Sequence, residues 1–142
     1  MNEVVLDASV IVKWFRTTGE QHLQGALGLY HQFSRGELLV LVPPLLFLEL
    51  LNAAARRWGW DAHRLERFAA DLDLLGLEVR QPSLPRIAHW CGRGLTAYDA
   101  CYVALAQEQR TVVVTDDERI IAVAGGLARP LAEEGRSTKG EE

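Results

Sequence analysis

The segment "EVVLDASVIVKWF", Glu3 to Phe15, gives the first indication of the architecture of the chain. Its first part is a short apolar run that ends at Leu6, which favours a buried strand, and Asp7 follows directly. The residues from Ser9 onward continue as a helical turn. A strand that ends in an acid and leads at once into a helix is typical of one repeating unit of an α/β protein.

The same alternation recurs along the rest of the chain. Further strands are predicted at "ELLVLVP" (37–43), "LEVRQP" (77–82), "TVVVT" (111–115) and near 126–130. Helices are predicted at 20–36, 43–58, 61–76, 83–91, 95–109 and 117–126. The helix at 43–58 is apolar on nearly every side, so we expect it to be buried all round. The pattern predicts a three-layer α/β/α sandwich with a central parallel sheet.

Length, charge and composition limit the class of protein. A chain of 142 residues makes one domain, which we assign to residues 1–131, followed by a flexible tail at 132–142. The net charge of −4 argues against an extended basic surface. The chain has no apolar run long enough to span a membrane and no signal peptide, so we expect a cytoplasmic protein. Cys91 and Cys101 match no metal-binding spacing and are interpreted as reduced packing residues.

Acidic side chains mark one edge of the predicted sheet. Asp7 ends the first strand, and Asp117 follows the strand at 111–115. Asp99 lies in the first turn of the helix that leads to that strand, and Glu49 lies about one and a half turns into its own helix. Ligands of such sheets bind at the carboxyl ends of the strands. We therefore expect these four carboxylates to converge.

Helix capping is a simpler explanation for part of this pattern. Thr96 with Asp99 is a variant of the capping box, and Thr115 with Glu118 is a regular one. Acids in a first helical turn also favour the helix dipole. Glu49 lies too far inside its helix to cap it, so its role needs another explanation.

A divalent cation explains the four acids together. Burying an unpaired carboxylate is costly, and clustered acids repel one another. An arginine or the Asn52 amide would compensate Glu49 alone, whereas a cation would compensate all four. Sites with oxygen ligands alone suit Mg²⁺ or Mn²⁺ and support phosphodiester hydrolysis. Ser9 and Thr115 either orient the ligands from behind or cap helices.

Four stretches give the chain a resemblance to a known family. They are "VVLDASVIVKWF", "LVPPLLFLELLNAAAR", "LTAYDACYVALAQ" and "VVVTDDERI", and they occur in the family's order and approximate spacing. The chain resembles the PIN domain and, within it, the VapC toxins of bacterial toxin–antitoxin pairs, from residue 1 to about residue 131. The resemblance implies a PIN-like fold and a metal-dependent ribonuclease.

The resemblance also implies roles for particular residues. The family's acidic set falls on Asp7, Glu49, Asp99 and Asp117, with Asp7 and Asp99 as the principal Mg²⁺ ligands. A "T-x-D" pattern selects Asp117 rather than Asp116 as the last acid, which we include among the metal ligands.

The resemblance further implies three partners: an RNA substrate, a VapB-like antitoxin and a second copy of the chain in a homodimer. The arginines that we expect to contact phosphate are Arg16, Arg56, Arg57, Arg93 and Arg119. The cluster of Trp58, Trp60 and Phe68, which Trp14 is expected to join, is either core packing or an exposed surface for a partner.

Other functions are compatible with parts of the sequence. One is a housekeeping RNA-processing nuclease, and another is a PIN-like module that only binds a partner. A receiver-type phosphoacceptor domain shares the length and the clustered acids, but it needs a lysine near the end of its last strand and an Asp after its third. Lys13 and Lys139 are misplaced for that role, and "LEVRQP" contains no Asp.

Overall fold

A five-stranded parallel sheet lies at the centre of the molecule. The computed structural model of the chain describes residues 2–134. Its strands are β1 (Asn2–Leu6), β2 (Leu38–Val42), β3 (Glu78–Val79), β4 (Val113–Thr115) and β5 (Ala128–Pro130). They lie side by side in the order β3-β2-β1-β4-β5, and every adjacent pair is parallel. The expected parallel sheet is confirmed.

Helices α1 to α7, whose bounds lie within the described part of the chain, cover this sheet. They are α1 (Ala8–Phe15), α2 (Leu23–Ser34), α3 (Leu45–Asn52), α4 (Ala62–Asp73), α5 (Leu84–Gly92), α6 (Ala97–Glu108) and α7 (Glu118–Ala124). Right-handed crossovers place α1 to α4 on one face and α5 to α7 on the other. The packing agrees, because α1 contacts α2 and α3 whereas α6 contacts α5 and α7.

The strand order contains a reversal beside β1. The chain moves from β1 to β2 and β3 on one side, then crosses to β4 and β5 on the other. Crevices at such topological switch points are where open α/β sheets bind ligands. Here the switch point lies between β1 and β4, whose carboxyl ends lead to Asp7 and Asp117.

Helix α3 is not buried all round, so that prediction is wrong. Leu46 and Leu50 are fully buried, but Leu48 is 61% exposed. This apolar segment therefore forms a helix that contacts the core on one face only. The helix continues as a π-helical turn, Ala53–Arg57, in which the Trp58 N–H donates to the carbonyl of Ala53 at 3.1 Å.

Other element boundaries differ from the predicted ones at their ends. The helix predicted at 20–36 begins at Leu23, after His22 in the left-handed conformation. The strand predicted at 111–115 is regular from Val113 onward. Leu131, the last residue assigned to the domain, is 1% exposed and belongs to the core. Residues 131–134 are helical, and residues 135–142 of the predicted tail lie outside the described residues.

A membrane span can be judged from helix length and hydropathy. Within residues 2–134, no helix combines the length and the apolar character that crossing a bilayer requires.

Two leucines of α3 test how this helix packs. Replacing Leu50, which is fully buried, with Ala should lower the free energy of unfolding by about 2–5 kcal/mol, because the change leaves a cavity. Leu48→Ala should change it by less than about 0.5 kcal/mol, because Leu48 is exposed. Urea unfolding followed by circular dichroism measures both. Equal losses would mean that α3 is buried on both faces.

Candidate active site

The candidate site lies where the carboxyl ends of the adjacent strands β1 and β4 are side by side. Leu6 is paired with Val114, so the next residues of the two strands, Asp7 and Thr115, are neighbours. The Thr115 hydroxyl donates a short hydrogen bond to Oδ2 of Asp7. The parallel register therefore places a donor from one strand against an acid from the other.

Asp7 is an acid held in an apolar environment. It is 4% exposed, and Ser9 Oγ donates to its Oδ1 at 2.6 Å. Burial raises the pKa of Asp7 from 3.8 to about 7, although the hydrogen bonds from Ser9 and Thr115 act in the opposite direction. The charge of Asp117 adds to the increase. The site thus contains a carboxylate whose ionised form is costly.

The loop after β4 aims Asp117 at the same region. The Asp117 N–H donates to Thr115 Oγ1 at 3.0 Å. Asp117 Oδ1 accepts from the N–H groups of Arg119 at 2.8 Å and Ile120 at 3.4 Å, so Asp117 caps α7. The capping box predicted at Thr115 is therefore wrong, because Thr115 contacts Asp7 instead.

Asp99 lies at the start of α6, as predicted. Thr96 Oγ1 accepts from the Asp99 N–H at 3.1 Å, so Thr96 caps this helix. Burial raises the pKa of the Asp99 carboxyl, and the charge of Asp117 raises it further. A hydrogen bond with Thr96 and the charge of Arg119 oppose this shift. Asp99 therefore lies at a capped helix start, and it is close enough to Asp117 for the two charges to interact.

Glu49 is compensated by a residue that the sequence did not reveal. The Tyr102 hydroxyl donates a short hydrogen bond to Oε1 of Glu49. Within residues 2–134, neither an arginine nor the Asn52 amide bonds to it, and Asn52 instead lines a cavity beside it. Burial raises the pKa of Glu49, and the charge of Asp99 adds to the increase. Tyr102 lies three residues after Asp99, on the same helical face, which is the signal that could have identified it.

Mutual repulsion links the four carboxylates. The charge of Asp117 raises the pKa of both Asp7 and Asp99, and the charge of Asp99 raises that of Glu49. Asp117 is therefore close enough to Asp7 and Asp99, and Asp99 close enough to Glu49, for their charges to interact. Across residues 2–134, however, no three Asp, Glu, His or Cys side chains are arranged as a ready-made metal site.

The donor set nevertheless fits a hard dication in its chemistry. Carboxylate and hydroxyl oxygens are the ligands that Mg²⁺ and Mn²⁺ prefer. A cation would also relieve the repulsion that raises the three pKa values.

Ser9 bridges the two loops of the site. It donates to Asp7 and accepts from the Asp116 N–H at 3.0 Å. Asp116 itself is directed away from this contact, since its carboxylate pairs with Lys13 at 3.4 Å. Ser9 does not cap α1, so the contact with Asp7 is its observed role. The choice of Asp117 over Asp116 agrees with these contacts.

The candidate phosphate-binding arginines fall into two groups. Arg119 acts electrostatically on Asp99, and Arg56 and Arg57 line a cavity of about 520 Å³ beside Glu49. Arg16 and Arg93 instead lie against aromatic rings, those of Trp58 at 5.8 Å and Trp90 at 5.7 Å.

The predicted aromatic cluster is packing at a helix turn. Phe68 is buried, Trp60 packs on it at 5.2 Å between ring centroids, and Trp58 packs on Trp60 at 5.1 Å. Trp14 does not join them. It stacks on Phe33 at 5.5 Å, and its ring N–H donates to the carbonyl of Ala26.

The molecule is thus an α/β protein with acidic side chains at the switch point of a parallel sheet. The PIN domain model matches residues 4–126 of the sequence. The chain therefore belongs to the PIN domain family, whose members are in general nucleases.

Several solved structures are similar to this chain in fold. A protein from Pyrobaculum aerophilum has a TM-score of 0.67 and 21% identity, with 98% of this chain and 96% of that chain covered. A toxin–antitoxin complex from Klebsiella pneumoniae has a TM-score of 0.61 and 16% identity, covering 90% and 97%. VapBC2 from Rickettsia felis, solved bound to a DNA fragment from their promoter, has a TM-score of 0.59 and 11% identity, covering 90% and 98%. At these identities the likeness establishes the fold. A comparison with curated proteins finds no match.

Asp7 should make the metal-free protein less stable as the pH rises. Its pKa is 3.8 when exposed and about 7 in the folded chain, so the folded state holds a proton that the unfolded state loses between these values. The stability is fully present below about pH 4 and is lost as the pH rises through about 7. Asp7→Asn should remove this dependence and be more stable than wild type at pH 8, by up to about 4 kcal/mol. Urea unfolding in EDTA from pH 4 to pH 8 measures the difference.

Glu49 and Asp99 shift in the same direction, so the comparison with Asp7→Asn isolates the contribution of Asp7. Parallel pH profiles for the two proteins would contradict the burial of an ionisable group at this position.

Proposed function

We propose that this protein is a metal-dependent endoribonuclease that hydrolyses RNA phosphodiester bonds. The observation that carries the proposal is the set of four electrostatically linked carboxylates at the switch point of a PIN-domain sheet. The four residues come from separate parts of the chain. Helix capping accounts for the positions of Asp99 and Asp117 at helix starts. It does not account for the position of Glu49 or for the burial of Asp7.

The residues that would hold Mg²⁺ or Mn²⁺ are Asp7, Asp99 and Asp117. When bound, a dication there supplies a Lewis acid that polarises a phosphoryl oxygen and makes water more acidic. Ser9 and Thr115 fix the orientation of Asp7 through their hydroxyl groups. Two donors on one carboxylate leave its remaining lone pairs directed along defined lines, which favours a defined ligand position.

Glu49 is suited to accept a proton from the attacking water. Its raised pKa brings it closer to the pH at which a general base works best. The Tyr102 hydroxyl bonds to Oε1 and holds the carboxylate in one orientation, so Oε2 is the oxygen that would take the proton. Tyr102 is thus a positioning residue for Glu49.

Arg56 and Arg119 provide positive charge for the substrate. Carboxylates repel a nucleic acid, so an acidic site needs cationic neighbours. Arg56 lines the cavity with Glu49 and Asn52, and within residues 2–134 its guanidinium makes no ion pair. An arginine with free donors beside the carboxylates can bind a phosphate of the strand bidentately.

The similar structures favour a toxin of a toxin–antitoxin pair over a housekeeping nuclease. One of them is a toxin–antitoxin complex, and another is VapBC2. We propose a VapB-like antitoxin as partner and a homodimer as the assembled form. Co-expression with the product of a neighbouring gene, followed by size-exclusion chromatography, tests the partner. A separate chain that neither binds nor inhibits would favour the housekeeping role.

Replacing single acids should abolish cleavage without unfolding the protein. Asp7→Asn, Glu49→Gln and Asp99→Asn each remove one charge from the linked set at nearly constant shape. Cleavage of a labelled single-stranded RNA in Mn²⁺ should fall below detection for all three, while circular dichroism stays unchanged. Asp73→Asn, at an exposed acid of α4, is the matched control and should cleave as wild type does.

Addition of EDTA should stop the wild-type reaction. Cleavage by the Asp99→Asn variant at the wild-type rate would exclude the shared site and favour a PIN-like module that only binds its partner.

Manganese should stabilise the folded protein, because a ligand that binds the native state alone shifts the unfolding equilibrium. At 100 times its Kd, the gain is about 2.7 kcal/mol. Differential scanning fluorimetry with millimolar Mn²⁺ should show a higher Tm for wild type and a smaller increase for Asp99→Asn. An unchanged Tm for wild type would contradict useful affinity at this site.

A further inference from the structure

A lysine is buried beside the site. Lys13, in α1, is 3% exposed, and it shares this burial with only two other polar residues of the described chain, Asp7 and Thr115. Burying an ammonium group is costly unless it is paired. The contacts of Lys13 therefore show what its burial is for.

Lys13 pairs with acids from two different loops. Its Nζ lies 3.0 Å from Oε2 of Glu20, in the connection between α1 and α2. It also lies 3.4 Å from Oδ2 of Asp116, in the loop after β4. One side chain of α1 thus ties together two loops that are distant in sequence.

The contact with Asp116 leads directly to the site. The Asp116 N–H donates to Ser9 Oγ at 3.0 Å, and Ser9 Oγ donates to Asp7 Oδ1 at 2.6 Å. Lys13 therefore holds the residue whose backbone fixes the hydroxyl that orients Asp7. His22 adds a weaker contact from the other side, with its Nε2 at 3.8 Å from Asp116 Oδ1.

The contact with Glu20 leads to the cavity beside Glu49. Oε1 of Glu20 lies 3.6 Å from the guanidinium of Arg57, in the π-helical turn. Arg57 and Arg56 line that cavity together. The contacts that run from Lys13 through Glu20 therefore end at the cationic side chains beside Glu49.

We propose that Lys13 is a positioning residue for the nuclease site, which it acts on through Asp116 and Glu20. It holds the loop after β4 so that Ser9 stays aimed at Asp7, and it holds Glu20 against Arg57. The expected effect on cleavage rests on the proposed function. The expected effect on the loop after β4 rests only on the distances given above, and it is measured without RNA or metal.

The first experiment measures amide hydrogen exchange of Asp116 by NMR, in EDTA and without RNA. Lys13→Met removes the charge and keeps the length of the side chain. The Asp116 amide should exchange at least ~10-fold faster in this variant, because its bond to Ser9 is no longer held in place. Val12→Ala, a core change in the same helix, is the control for lost stability and should not affect this amide selectively.

Asp116→Asn provides a second route if Lys13→Met fails to fold. Asp116 is 27% exposed, so the change is tolerated more readily, and it keeps the backbone N–H while removing the ion pair. The proposal would be overturned if the amide of residue 116 exchanged at the wild-type rate in Asp116→Asn and in any folded Lys13→Met protein.

The second experiment measures steady-state RNA cleavage. For Lys13→Met we expect kcat to fall by roughly 10–100-fold, as for other residues that orient ligands, with a smaller change in KM. The double variant with Asp116→Asn should lose little more than either single variant, because both changes break the same link. Additive losses would overturn an action through Asp116.

Arg86→Met is the control for the loss of an ion pair, since Arg86 lies 3.4 Å from Glu108 between α5 and α6. It should leave kcat unchanged, and an equal loss in this variant would also overturn the proposal. If Lys13→Met shows the exchange effect but the wild-type protein cleaves no RNA, the proposed function is refuted and the positioning role of Lys13 stays in place.

Discussion

The contact between Thr115 and Asp7 joins the fold to the site. It exists because β1 and β4 are parallel neighbours with Leu6 paired to Val114, so that each strand delivers its next residue to the same point. A shift of one residue in this register would turn one of the two side chains to the opposite face of the sheet. The rest of the site is arranged around this pair: Ser9 bonds to Asp7, and the Asp117 N–H bonds to Thr115.

Holding acids in this position opposes the stability of the fold. Burial raises the pKa of Asp7, Glu49 and Asp99. Repulsion by Asp117 adds to the increase for Asp7 and Asp99, and repulsion by Asp99 adds to that for Glu49. The buried strands and the helices packed on them offset this cost, since Val4, Val5 and Leu6 of β1 are at most 2% exposed. Functional sites in other proteins are often less stable than their surroundings for the same reason.

Local patterns in the sequence predict much of the fold and select the acids of the candidate site. Asp7 and Asp117 follow apolar strands, and in parallel sheets such residues share one edge. Tyr102 was not predicted as the partner of Glu49, because that bond joins residues 53 positions apart and depends on how α3 and α6 approach. The exposure of Leu48 was missed because an apolar sequence does not show which face of a helix lacks a neighbour. The burial of Lys13 was missed because its two acids come from loops whose paths the sequence does not define.

The π-helical turn at Ala53–Arg57 contains one residue more than a regular α turn needs. It closes with a hydrogen bond between residues five apart, whereas an α turn closes with one between residues four apart. Removing one of the alanines from this turn would therefore leave a regular α turn of about the same angular span. Arg56 and Arg57 would keep their direction relative to Glu49, so the turn can shorten by one residue without redirecting the cationic side chains that line the cavity.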